Sequence, residues 1–214
     1  VALLPIALVI IYAEKKRMPA GAEWAWFGVN AVLLAGYMAM RSPAIADAGN
    51  LSALAFFRNV RSLPEEYFKM IVPLGFSVMP GYSTLWSLGG LLLFGIQGFL
   101  VNKFKPEPKV SFIGAAIWLL PLLPSMAYEP SFAGVAYDYL DHRAWFPFIG
   151  LWIIILGIAD KANLASNRNA VAVFAVVLAV WAGISAWRVG TYNDWESYYT
   201  NAITTNPGSG LANL

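Results

Sequence analysis

The chain has 214 residues, of which 59% are hydrophobic, 15% aromatic and only 12% charged, with a mean hydropathy of +0.60. Soluble domains carry roughly 25% charged residues, so this composition predicts an integral membrane protein. The net charge of +2 is too small to argue for a nucleic-acid partner, and zero cysteines with a single histidine exclude disulfides, thiolate chemistry and a multi-histidine metal centre.

Taken in order, the first apolar run, Val1–Ala13, is shorter than the roughly 20 residues that a span requires. It predicts a truncated first span whose N-terminal part lies upstream of Val1. Further runs long enough to cross a bilayer follow at Ala22–Met40, Tyr82–Val101, Val110–Met126, Ala144–Ile158 and Ala170–Trp187, which gives about six crossings in all. Tryptophans gather near the run ends, as an interfacial belt requires. Pro121 and Pro124 are expected to kink or unwind the end of the fourth span. No Asp, Glu, Lys, Arg or His stands in the interior of a span, which argues against an ion-coupled transporter.

Orientation follows from the short loops "EKKR", "NKFKPEPK" and "DKANLASNR". They hold Lys15, Lys16, Arg17, Lys103, Lys105, Lys109, Lys161 and Arg168, eight of the fourteen basic residues, and they are alternate loops. By the excess of Lys and Arg on the inner side they are cytoplasmic. The segments 41–81, 127–143 and everything after Arg188 are then extracytoplasmic. Within 41–81, Ser62-Leu63-Pro64-Glu65 reads as a capping box with proline in the first turn, and Tyr67, Met70, Ile71 and Leu74 continue at helical spacing. A shorter piece, Leu51–Val60, leads to Arg58 and Arg61. Outer helices at about 45–78 are therefore expected to lie on the membrane surface. Asn50-Leu51-Ser52 fits a glycosylation sequon, a triplet common by chance.

After residue 188 the chain turns polar. Tyr199, Ala202 and Pro207 have the spacing of the aromatic, alanine and proline that close a tetratricopeptide repeat, and "NPGSGLANL" resembles the step into the next one. The expected architecture is all-α: a polytopic bundle over 1–188, leading into an extracytoplasmic repeat region over 189–214 that continues past residue 214.

The stretches "LPIALVIIYAEKKR", "YFKMIVPLGFSVMPGYS" and "YDYLDHRAWFPFIG", with repeats beginning outside, resemble the membrane half of the transmembrane-and-tetratricopeptide-repeat proteins. These are similar to C-type (GT-C) membrane glycosyltransferases. The resemblance implies transfer of a sugar from a polyprenyl-phosphate donor to a protein acceptor on the outer side of a membrane, here a bacterial inner membrane, with the repeats engaging protein partners. Asp141, Arg143 and Pro147 match the family's acid, arginine and proline series, whereas His142 and Trp145 depart from it. The family's catalytic carboxylate lies in an earlier loop that this chain lacks, so no catalytic residue is assigned.

Arg143, His142, Arg58, Arg61 and Lys69 are the candidates for contacting the donor phosphate, since arginine offers phosphate a two-pronged donor. Asp138 and Asp141 are candidates to orient Arg143 or receive a sugar hydroxyl. The plainer reading makes the 138–143 cluster an interfacial anchor, with Asp141 as a helix cap. The alternative function is a non-catalytic membrane scaffold that anchors a repeat array or fills a place in a larger assembly.

Overall fold

The computed structural model describes residues 3–45, 50–73, 77–78, 81–129 and 145–208. The described chain is helical apart from one short β-pairing: α1 (Leu3–Lys15), α2 (Ala22–Ile45), α3 (Ala53–Asn59), α4 (Leu63–Ile71), α5 (Thr84–Phe104), α6 (Pro108–Met126), α7 (Trp145–Lys161), α8 (Arg168–Val189) and α9 (Trp195–Thr205). The all-α expectation holds, and each of the six apolar runs falls on a helix. Thr84–Phe104 and Arg168–Tyr192 are long and apolar enough to cross a membrane, and Pro108–Pro124 is a shorter apolar helix. The prolines do not unwind α6, which continues as helix through both to Met126.

Local chemistry explains most boundaries. The Ser83 hydroxyl caps α5 by accepting from Trp86 N, and the Asn167 side chain caps α8 by accepting from Asn169 N and Ala170 N. Val72, which precedes Pro73, is extended and ends α4, because proline disfavours helical backbone in the residue before it. The Ser62 capping box does not form. A 3-10 turn, Val60–Ser62, runs straight into α4, so Ser62 itself has helical dihedrals and makes no side-chain cap. Glu65 is turned to other partners.

The core lies where α4, α6 and α7 meet. Tyr67 and Met70 of α4 pack with Trp118, Leu122 and Met126 of α6 and Leu151 of α7, with Phe94 of α5 against them. Tyr67 stacks on the Phe94 ring at 4.1 Å and meets Trp118 edge-on at 5.4 Å. α6 and α7 approach closely because both are glycine at the crossing: a Cβ on Gly150 would stand 2.4 Å from the Gly114 carbonyl oxygen, and one on Gly114 would stand 2.7 Å from that of Gly150. α8 reaches α7 through aromatic side chains, Trp181 stacking on Phe148 at 4.8 Å.

α4 does not rest on the outside of the other helices. It is sunk into the bundle, with Glu65, Glu66, Tyr67, Lys69 and Met70 all buried. The docking groove is again made by glycine. A Cβ on Gly90 of α5 would lie 1.7 Å from the Pro64 carbonyl oxygen, and one on Gly89 would lie 2.6 Å from the Phe68 ring.

Around this centre the polar segments tie the ends of helices together. β1 (Asn50–Leu51) pairs antiparallel with β2 (Tyr128–Glu129), and the Asn59 side-chain amide donates to the Met126 carbonyl at 3.0 Å, satisfying a carbonyl at the end of α6. At the opposite end of α6, Lys109 pairs with Glu14 of α1 at 2.6 Å, while Lys15 and Arg17 both pair with Glu23 of α2. α9, capped by Asp194, folds back on the segment before α5: Ser77 and Thr205 share a hydrogen bond of 2.6 Å, and Val78 packs on Ala202 and Tyr198.

Gly90→Ala is expected to destabilise the protein by about 1–3 kcal/mol or more, because the added methyl meets backbone that cannot turn aside. Gly95→Ala, on the same helix with nothing within 4 Å of its Cβ, serves as the control and is expected to lose nothing. Thermal unfolding of the two variants in detergent micelles measures the difference.

Candidate functional site

Two polar constellations are built around α4, one inside the bundle and one on its exposed end. The inner one comes from the sequence Glu65-Glu66-Tyr67-Phe68-Lys69. Helical spacing places Lys69 one turn after Glu65, and Lys69 Nζ donates to Glu65 Oε1 at 2.6 Å, with the two side chains 3% and 0% exposed. The other Glu65 oxygen accepts from Ser83 N at 2.9 Å, which fixes α4 to the start of α5. Glu65 thus takes both the ammonium and the backbone donor.

Glu66 is fully enclosed, and neither of its carboxyl oxygens has a hydrogen-bond partner among the described residues. Burial pushes its carboxyl well above the usual carboxylate range; the nearby Lys69 charge opposes this and Glu65 reinforces it. Tyr67 is held as the neutral phenol, pushed up to about 12 by burial, and donates to Gln97 Oε1 at 2.8 Å. The α5 face that receives α4 carries Ser83, Trp86, Gly90, Phe94 and Gln97, each placed there by a contact. Ser87 falls on the same stripe by helical spacing; it is 6% exposed and its hydroxyl has no partner among the described residues.

The outer constellation is a stripe at i, i+3, i+4 and i+7. Leu54 and Phe57 are 77% and 73% exposed, and Arg58 and Arg61 are exposed beside them. The Arg61 guanidinium lies over the Tyr82 ring at 4.6 Å, which holds it next to the entry into α5. Ser52 caps α3 by accepting from Ala55 N, so its hydroxyl has a local structural use. Two cations next to two bare apolar side chains match a ligand with both a phosphate and a hydrocarbon chain.

The expected site residues therefore divide. Arg58 and Arg61 stand together on the exposed stripe. Lys69 is turned inward onto Glu65, away from any ligand at that stripe. Asp138, Asp141, His142 and Arg143 lie outside the described residues. Sequence reasoning missed Glu65 and Glu66 as core residues, treating the first as a helix cap and giving the second no role. The available signals were the Glu65–Lys69 spacing and the Gly89-Gly90 pair in an apolar helix, which together allow a charged helix to dock closely.

What the fold and site define is a helical chain with two helices able to cross a membrane and with ionisable side chains enclosed beside one of them. No protein-family model, curated protein or solved structure matches the chain.

Lys69→Met, which strands Glu65 in the core, is expected to cost about 3–5 kcal/mol in chemical unfolding. Adding Glu65→Gln to it should recover most of the loss, since what is expensive is the solitary charge. A double variant no more stable than the single one would show that the ion pair is not what holds α4.

Proposed function

We propose that the chain is the membrane part of a GT-C-like glycosyltransferase, which moves a sugar from a polyprenyl-phosphate donor to a protein acceptor on the extracytoplasmic side. The reading takes all six long apolar helices as crossings. The basic loops face the cytoplasm of a bacterial inner membrane, and the chain after α8 begins a tetratricopeptide-repeat region that engages proteins. Supporting this arrangement, Lys15, Arg17 and Lys109 sit with Glu14 and Glu23 at one end of the helices, whereas α3, α9 and the α5 N-terminus belong to the other.

The observation that carries the substrate class is the stripe Leu54, Phe57, Arg58 and Arg61. Its apolar members suit a prenyl chain in the membrane surface, and its guanidiniums suit the phosphate at the head of that chain. Arg143 and His142, with Asp138 and Asp141 to orient them, belong to the same outer side in this reading. They remain candidates for the donor phosphate, whereas Lys69 is spent on Glu65. No residue of the chain is assigned as the general base.

A second reading, a non-catalytic scaffold, draws on α9. Its Trp195, Tyr199 and Ile203 are 76%, 37% and 41% exposed, while Ala202 anchors the helix from behind. That leaves an aromatic row open to a protein partner.

The test is transfer of sugar from extracted polyprenyl-phosphate donors to extracytoplasmic protein by the full-length protein in membranes. Arg58→Ala, Arg61→Ala and Arg143→Ala are compared at equal expression. Each lost guanidinium–phosphate contact is worth about 1.5–3 kcal/mol, so transfer should fall roughly ten- to hundredfold per variant. Unchanged transfer in Arg58→Ala and Arg61→Ala would remove the stripe from the donor site, and no transfer by the wild type would favour the scaffold.

A further inference from the structure

The polar groups on and around α4 are unequally shared between its two adjacent glutamates. Glu65 has the Lys69 ammonium at 2.6 Å and the Ser83 N–H at 2.9 Å, and Glu66 receives neither. Among the described residues no other charge acts on Glu66 to take their place. On α4 itself the titratable groups are Glu65, Tyr67 and Lys69. The facing stripe of α5 has Ser83, Trp86, Ser87, Gly90, Phe94 and Gln97, none of which titrates. Trp118, Leu122 and Met126 of α6 and Leu151 of α7, which pack with Tyr67 and Met70 of α4, do not titrate either. Among the described residues the nearest further cation in the chain, Arg61, is exposed and lies over Tyr82.

An ionised Glu66 would leave a net negative charge in this enclosure, two carboxylates against one ammonium, and an uncompensated buried charge is far costlier than binding a proton. The Ser87 hydroxyl on the same interface is a second buried polar group with no partner among the described residues.

We propose that Glu66 is a proton-binding site, a carboxyl held as the neutral acid in the α4–α5 interface and able to lose its proton only when α4 lifts from its glycine groove. The coupling is steric. To reach water Glu66 must carry α4 with it, and the Pro64 carbonyl must leave Gly90. A seated α4 therefore holds one proton, and a lifted α4 gives it up. The sign of the pH dependence follows, because the folded state keeps this proton at pH values where the unfolded chain has released it. The contribution of Glu66 to the seated state is full below the ordinary carboxyl range and declines as pH rises towards the folded-state value. Glu66→Gln, a neutral amide of the same shape, removes the dependence.

The experiment uses the whole chain in membranes and a hydrophobic carbodiimide, which adds the O–H of a neutral carboxylic acid across a C=N bond and ignores carboxylates. At neutral pH an adduct should form at Glu66 in clear excess over Glu65, whose carboxylate is held by Lys69 and the Ser83 N–H, and Glu66→Gln should abolish it. Infrared difference spectra supply the second measurement: a neutral-carboxyl C=O band should weaken as pH is raised and be missing from Glu66→Gln. Equal adducts on the two glutamates would overturn the proposal. Should the reagent fail to reach the interface, the infrared band decides, its presence upholding the proton site and its absence overturning it.

Discussion

Everything in the centre of the bundle depends on a short helix being able to sit within backbone contact of a long one. The Pro64 carbonyl rests where any side chain at position 90 would have to be, so α4 is held against α5 at a distance that only glycine permits. Once it is there, its side chains have no choice of environment. Tyr67 and Met70 become core, and so do Glu65, Glu66 and Lys69, because a helix seated this deeply against α5, α6 and α7 leaves only Leu63, Pro64, Phe68 and Ile71 partly exposed. The charges are enclosed as a result of a backbone constraint, and the Glu65–Lys69 pair together with the Ser83 N–H offsets part of that cost.

The same constraint links the inner and outer constellations. α3 and the turn after it are fixed to α4 on one side and to the end of α6 on the other, through Asn59 and the β1–β2 pairing. Arg58 and Arg61 therefore project from a segment whose position is set by how deeply α4 is seated. In the proposed donor site, phosphate recognition outside and the state of Glu66 inside belong to one continuous piece of chain, α3 running through the 3-10 turn into α4. α9 adds a third contact at this end, through the Ser77–Thr205 hydrogen bond and the packing of Val78 on Ala202.

Much of this was legible beforehand, for simple reasons. Long apolar runs must become helices if their backbone groups are to be satisfied away from water, and all six did. Ser83, Asn167 and Asp194 could be helix caps by residue type, since their short side chains reach the free N–H groups of the next turn. Ser62 had the same credentials and failed, because whether a serine caps depends on whether the chain before it is already helical. The absence of charged residues from the span interiors was true of the spans and misleading about the core. The enclosed charges come from α4, a nine-residue helix too short to register as a span.

The sequence by itself determined the class: composition and hydropathy specify a helical, strongly apolar chain, and the run lengths specify where its helices lie. It also determined which residues could pair along one helix, Glu65 with Lys69 among them, since that follows from spacing alone. Only the tertiary structure decided which face α4 buries, and that face carries Glu65, Glu66 and Lys69 along with Tyr67 and Met70. That outcome rests on Gly89 and Gly90, some twenty residues away in the sequence, and on Trp118, Leu122 and Leu151 further still. Periodicity describes one element at a time. The depth to which two elements approach is set by the atoms absent from both, and no pattern within either helix records it.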